Sequence, residues 1–298
     1  MRAVLLITLV LLTAGAVKPQ SSLPSRMPDE VAVFAIRPNG DSLVIDPVVI
    51  VHYGADQELK VVPSFNDPTR ADSVDADNQV FERTFYKPGT AVSIFRGGER
   101  IGRASIRNTN QPVGEEGGCI NLGATISLNS SVSSPLLATS TNLEIPGHRS
   151  TRSPATAKEI ATVRQLAKEW LVEYGLDQRL LKQGVTGPVS STELRKGGGR
   201  AIIGRFDVKS KRSLHSLFAV AEQDGTRYRL TLASLVVQND VDSEKDKQEI
   251  EYLDQLDINN DGIDELITME TLYESWGYTI WEFDAKEQFW RAVHHERC

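Results

Sequence analysis

Asp257-Ile258-Asn259-Asn260-Asp261-Gly262-Ile263-Asp264-Glu265-Leu266-Ile267 is the stretch whose reading decides the rest of this 298-residue chain. Oxygen-bearing side chains stand at its first, third and fifth positions, Asp257, Asn259 and Asp261. Gly262 follows, where a backbone turning back on itself needs freedom from a Cβ. Glu265 supplies a carboxylate at the ninth position. Hard cations such as calcium take six to eight oxygen ligands from a tightly curled backbone, and this spacing offers them.

An EF-hand would place a bidentate glutamate at position 12 of such a loop. Thr268 stands there. The flanks are also wrong for paired helices. Leu253, Leu256 and Ile258 precede the loop and Leu266, Ile267 and Met269 follow it, short apolar runs that read as two strands. Asp-x-Asn-x-Asp-Gly between strands resembles the calcium loops of FG-GAP and VCBS-type repeats, the blades of integrin-like β-propellers. That resemblance covers about the last fifty residues. It implies coordination by the side chains of Asp257, Asn259, Asp261 and Glu265 and by the Ile263 carbonyl, with Glu265 replacing the usual aspartate. A plain Asp-Gly hairpin with solvated acids is the competing reading.

Charge is unevenly distributed. The net charge is -7. Asp240 to Glu265 holds eleven acids and two lysines, a net of -9, which leaves +2 for the remainder. A dominant negative field argues against a polyanion partner such as nucleic acid. Hydrophobic residues at 40% are ordinary for a globular chain with a sizeable core.

Residues 1–16 read as a signal peptide. Arg2 makes a positive start, Ala3 to Leu12 is apolar but too short to span a bilayer, and Ala14-Gly15-Ala16 fits a cleavage site. The expectation is an exported protein, secreted or periplasmic, with no transmembrane segment. Cys119 and Cys298 are the only cysteines. An oxidising compartment makes them a disulfide candidate. Closing a loop of that length is worth roughly 4–5 kcal/mol in the entropic account.

The expected organisation is a polar leader over 17–28, a β domain over 29–128, a Ser/Thr/Pro-rich linker over 129–155, and an α+β domain over 156–298. The first domain reads as a small antiparallel barrel or sandwich. Asn39-Gly40 and Gly97-Gly98 mark turns, Pro47 interrupts a Val/Ile-rich strand, and Ile120, Leu122, Ala124, Ile126 and Leu128 alternate. In the second domain Thr156 and Glu159 form a capping-box pattern. Ile160, Val163, Leu166, Ala167, Trp170, Leu171 and Tyr174 share one helical face, and Gly175 ends it. The helix is expected to cover one face of the antiparallel meander that follows. An offset of fifty aligns Phe206-Asp207-Val208 with Leu256-Asp257-Ile258, a degenerate repeat in which Lys209 and Lys211 replace Asn259 and Asp261.

Other constellations carry less. Trp276, Trp281 and Trp290 read as core ahead of a binding surface. His294 and His295, adjacent on a strand, point to opposite faces and are not expected to share a metal. Gly197-Gly198-Gly199 reads as a connector. The chain has no Gly-x-Ser-x-Gly elbow, zincin motif, P-loop or dinucleotide fingerprint. The sequence therefore points to an exported, non-enzymatic binding or interaction protein with a structural calcium loop and a protein or glycan partner. A secreted hydrolase of glycan or cell-wall material, using a carboxylate pair that leaves no motif, is the alternative.

Overall fold

The computed structural model describes residues 30–53, 59–61, 79–109, 122–128, 136–140, 151–195, 197–210, 213–239, 248–272 and 275–297. The expected signal peptide and leader, Cys119 and Cys298 lie outside them.

The chain is mostly β, with several antiparallel sheets and a few helices. Seven strands come first: β1 (Glu30–Asn39), β2 (Ser42–Tyr53), β3 (Leu59–Val61), β4 (Ala91–Arg96), β5 (Glu99–Thr109), β6 (Ala124–Leu128) and β7 (Leu136–Ser140). Their order is β1-β7-β4-β5-β6-β2-β3, and β1 also pairs with β2, so six of them close into a barrel. A short helix, α1 (79–85), brings Phe81 and Phe85 with Tyr86 against Phe34 in the barrel interior. The buried Tyr86 hydroxyl lies 3.3 and 3.1 Å from the Ile45 and Leu122 carbonyls, which satisfies a polar group that is costly to bury alone.

β1 is buried on both faces. Ala32, Phe34 and Ile36 fill the barrel, and Val31, Val33 and Ala35 point outward into a second core. This accounts for a run of apolar residues without alternation. Pro47 sits where the β1–β2 register jumps from Val33↔Val49 to Phe34↔Pro47, leaving Val48 as an extra residue. A bulge is where a strand tolerates a residue with no N–H.

The stretch expected as a linker contributes two strands. β7 closes the barrel between β1 and β4, and β8 (Ser153–Pro154) edges the next sheet. Its Ser/Thr content concealed β7, whose Thr139 and Ser140 lie on a strand paired on both sides.

Next come α2 (Ala157–Glu173), α3 (Gln178–Leu181), β9 (Val185–Thr192), β10 (Ala201–Lys209), β11 (Ser213–Asp224) and β12 (Arg227–Asn239). Strands β12-β11-β10-β9-β8 form one sheet. The capping box at Thr156 and Glu159 is present, and Gly175 after the helix has φ +106°, a conformation costly for other residues. Val163, Ala167 and Leu171 of α2 pack on Ile202, Leu217, Ala219 and Ala221. The last four strands, β13 (Glu249–Leu256), β14 (Glu265–Leu272), β15 (Ser275–Asp284) and β16 (Phe289–Arg297), form a simple meander.

This meander is the middle of the stack. One face, with Leu253, Leu256, Ile258, Ile267, Tyr278 and Ile280, packs on the outward residues of the barrel. The other, with Ile250, Leu266, Phe283 and Trp290, packs on Ala201, Ile203, Phe218 and Val220 of the five-stranded sheet. The order of layers is barrel, four-stranded meander, five-stranded sheet, helix.

The strands show an internal repeat at a spacing different from the fifty residues that the sequence suggests. Ala201 pairs with Thr192 across β9–β10, and Glu265 with Leu256 across β13–β14; both partners lie 64 residues on (265 − 201 and 256 − 192). The register of β11–β12 shifts between Val220 and Ala221, and that of β15–β16 between Ile280 and Trp281, 60 residues on (280 − 220). Further shifts fall at matching heights, at Gly204/Phe206 and at Tyr252/Asp254. Changed hairpin lengths broke the gapless alignment. The counterpart of the Asp257 loop is therefore Glu193–Arg200, eight residues each, in which Arg195, Lys196 and Arg200 take the places of Asn259, Asn260 and Asp264.

Leu256, fully buried between barrel and meander, tests this stack. Leu256→Ala is expected to cost about 2–5 kcal/mol in urea unfolding. Val172→Ala on the outer surface of α2 should stay within about 0.5 kcal/mol. Equal effects would place the contact elsewhere.

Candidate metal loop and the cleft beside it

β13 ends at Leu256, and the chain turns back within eight residues to begin β14 at Glu265. Leu256 and Ile258 anchor the start of the turn in the barrel contact. The turn itself is held by its own side chains. The Asp257 carboxylate accepts the N–H groups of Asp261 (3.1 Å) and Gly262 (3.0 Å). Asn259 Oδ1 accepts the Asp261 N–H at 3.0 Å, and Asp261 Oδ1 accepts that of Ile263 at 2.8 Å. Glu265 Oε2 accepts the Ile258 N–H at 2.6 Å, tying the far end of the loop to its start. Asn260 and Gly262 have φ of +60° and +87°, the left-handed region that asparagine and glycine tolerate best.

The four side chains expected as ligands thus share one turn. The fifth, Ile263, forms a backbone bridge with Arg195, and Asp264 N–H donates to the Leu194 carbonyl at 2.8 Å. The acidic loop therefore rests directly on its basic counterpart. Thr268, at the twelfth position, lies away from the turn: its hydroxyl oxygen accepts the Trp281 indole N–H at 3.0 Å.

Asp257 and Glu265 are buried, 6% and 2% exposed. Burial, with the nearby charges of Asp261 and Asp264, pushes Asp257 up to about 6 against the pull of the Gly262 and Asp261 N–H groups. Burial and the charges of Asp257 and Asp261 push Glu265 well above the usual glutamate range. Among the described residues no salt bridge reaches either one. Their carboxylates are turned onto backbone N–H groups, and no described set of three His, Cys, Asp or Glu side chains converges as a cage. The donor set fits a hard divalent cation in chemistry, being oxygen throughout.

Sequence reading missed two neighbouring acids, Asp264 within the loop and Asp254 on β13. Asp264 is 1% exposed and accepts from Gln255 Nε2 at 2.6 Å; the same amide donates to the Glu193 carbonyl, and Tyr252 donates its hydroxyl to Gln255 Oε1 at 2.7 Å. Asp254 is fully buried. Its two oxygens accept the N–H of Gly97, in the β4–β5 turn of the barrel, at 3.0 Å each. Arg152 Nη1 reaches Asp254 at 2.6 Å and the Leu253 carbonyl at 2.7 Å, and its guanidinium stacks on Tyr252 at 4.5 Å. Burial raises Asp254 to about 6 although Arg152 and Gly97 N–H oppose it. An aspartate on a strand gives no sequence signal for such a partner.

Trp290 is buried against Phe283 and donates to Glu222 at 3.2 Å, while Trp276 and Trp281 are half-buried. His294 lies opposite Ile280, and His295 Nδ1 lies 2.7 Å from Thr279 Oγ1.

A cleft of about 190 Å³ opens between the two meanders, where their matching bulges face each other. Ile203, Phe218 and Ile250 form its apolar lining, and Arg152, Ser190, Arg205, Glu251 and Tyr252 its polar one. Arg205 faces three acids: Asp207 at 3.0 Å, Glu249 at 2.7 Å and Glu251 at 3.6 Å.

No protein-family model matches the chain, and neither the curated proteins nor the solved structures contain a match.

Asp257 and Asp254 set a pH dependence. Their folded pKa values of about 6 exceed the usual 3.8, so the folded protein holds more protons than the unfolded chain between those values. Stability in EDTA is therefore expected to fall as pH rises from about 4 to about 6. Asp257→Asn should flatten part of that fall in urea titrations across the range. A metal-free stability that rises with pH would contradict the placement of these acids.

Proposed function

We propose that this is an exported, non-enzymatic binding or interaction protein of the FG-GAP/VCBS type, in which a calcium ion on the Asp257–Glu265 loop serves a structural role. One observation carries the reading: Asp257 and Glu265 are buried carboxylates with no cationic side chain in salt-bridge reach among the described residues, on a turn that also presents Asn259 and Asp261. Isolated ionised carboxylates are costly to bury, and a divalent cation offsets that cost. Asp257, Asn259, Asp261 and Glu265 would hold it through side chains and Ile263 through its carbonyl. The ion supplies charge neutralisation and fixes the entry to β14.

The architecture supports the family reading. The loop joins the first two strands of a four-stranded antiparallel meander, the form of a propeller blade. An equivalent meander stacks on it, with helix and barrel covering the outer faces. Export and a Cys119–Cys298 bridge belong to the same reading and rest on the sequence. The hydrolase alternative gains nothing from the cleft, whose lining among the described residues holds a single carboxylate, Glu251, facing Arg205.

Thermal unfolding in EDTA and in a calcium series tests the proposal. A site filled at a hundredfold excess over its dissociation constant adds about 2.7 kcal/mol. A rise in Tm that Asp261→Ala abolishes is the expected result. A flat series, equal for both proteins, would reduce the loop to a hairpin turn.

A further inference from the structure

We propose that the outer face of β5 is a docking surface for a linear acidic polysaccharide, one whose carboxylates are spaced along a chain of otherwise uncharged rings. This names the partner class of the binding role proposed above and rests on that reading, but on different residues.

The strand itself builds the surface. β5 is paired on both edges, with β4 and with β6, and its inner residues Ala104 and Ile106 belong to the barrel core. Arg103 and Ser105 alternate with them on the outer face. A bulge stands at either end. Ile94 pairs with Gly102 and Phe95 with Arg100, which leaves Ile101 extra; Ile106 pairs with Ile126 and Asn108 with Thr125, which leaves Arg107 extra. Bulges re-aim side chains, and Arg100, Arg103, Ser105, Arg107 and Asn108 are all exposed.

The charge on this face is unspent. Arg96 to Thr109 holds four arginines and one glutamate, in a chain whose net charge is -7. Elsewhere the fold sets arginines against acids: Arg37 on Asp46, Arg152 on Asp254, Arg195 on Glu222 and Arg205 on Asp207. Among the described residues no carboxylate pairs with Arg100, Arg103 or Arg107, and Arg107 Nη2 donates to Ser127 Oγ at 2.7 Å. The acidic loop at Asp257 lies toward the other end of the strand. Gly98 N–H, in the β4–β5 turn, donates to the Gln255 carbonyl. Arg107 is about 30 Å further along β5, beyond the Debye length of about 8 Å at physiological salt.

Spacing and shape select the partner. Arg103 and Arg107 are about 13 Å apart along the strand, several times the roughly 3.4 Å between phosphates of one nucleic-acid strand. The strip therefore matches a polymer of sparse charge. A guanidinium fork receives a carboxylate bidentately, and Ser105, Asn108 and Ser127 offer hydroxyl and amide groups to the uncharged rings. An acidic peptide cannot add to β5 as a strand, because both edges are taken. Insertion into a membrane surface needs large apolar side chains, and Ile101, 37% exposed, is the one that β5 exposes.

The test uses the full chain in calcium and a hyaluronan decasaccharide, whose carboxylates stand on alternate rings. Calorimetric titration should show saturable binding that weakens as salt rises. A neutral chitin oligosaccharide should not bind, and a hexaglutamate peptide and phosphatidylglycerol vesicles should bind far more weakly than hyaluronan. Arg103→Gln combined with Arg107→Gln should weaken hyaluronan about tenfold, the loss of two exposed charge pairs. Arg83→Gln, at an exposed arginine of α1, should leave binding unchanged, and both variants should melt with the parent. No saturable binding of hyaluronan, equal binding of the neutral oligosaccharide, the peptide or the vesicles, or full binding by the double variant would overturn the docking surface. The titration repeated in EDTA and with Asp261→Ala separates the two proposals. Hyaluronan binding without any calcium response would remove the metal loop and keep the β5 surface; the reverse would remove the β5 surface alone.

Discussion

The burial of the β13–β16 meander on both faces is the constraint on which the other parts depend. A sheet in that position has no solvent-facing side, so each strand must serve two cores. Leu266 goes to one and the adjacent Ile267 to the other. The same holds for β1, which fills the barrel with Phe34 and meets the meander with Val33 and Ala35. Apolar burial on this scale dominates the stability of the stack. It also dictates what polar groups must do. Asp254, Gln255 and Asp264, at the end of β13 and the start of β14, are each fully or nearly fully buried, and each is tied to a neighbouring layer. Asp254 takes Gly97 N–H from the barrel, and Gln255 takes the Glu193 carbonyl from the five-stranded sheet.

The loop at Asp257 inherits its character from that position. In solvent, its acids would be an ordinary Asp-Gly turn. Here Ile258 is drawn into the barrel contact, and Asp257 and Glu265 on either side of the turn go under with it. Desolvation then raises their pKa values, and nearby acids add to it, Asp261 and Asp264 for Asp257, and Asp257 and Asp261 for Glu265. The basic counterpart at Glu193–Arg200 meets no such difficulty. Arg195 pairs with Glu222 at 2.6 Å, and Arg200 with Glu159 at 3.2 Å. One copy of the turn carries its own cations, and the other buries Asp257 and Glu265 with no salt bridge to either among the described residues.

The repeat illustrates how sequence and structure part company. Strand register and bulges match through β9–β12 and β13–β16, yet the intervals between equivalent residues change from 64 to 60 as hairpins shorten. A gapless comparison cannot follow such a change, and it set Asp207 against Asp257. In the folded chain Asp207 lies within β10, paired with Ser216, while Asp257 lies beyond the end of its strand.

By itself, the sequence determined what short-range physics controls. The capping box and periodicity of α2, the turns at Gly40 and Gly97, the β-rich class and the oxygen spacing of the Asp257 loop all depend on residues within a few positions of one another. Tertiary structure alone decided the rest. That β7 closes the barrel, that the last meander lies between two sheets, and that Asp254 meets Arg152 and Gly97 are pairings between residues far apart in the sequence. No local pattern encodes them, because the free energy that selects them comes from covering apolar faces, and any face of suitable shape and hydrophobicity competes for that role until the whole stack is assembled.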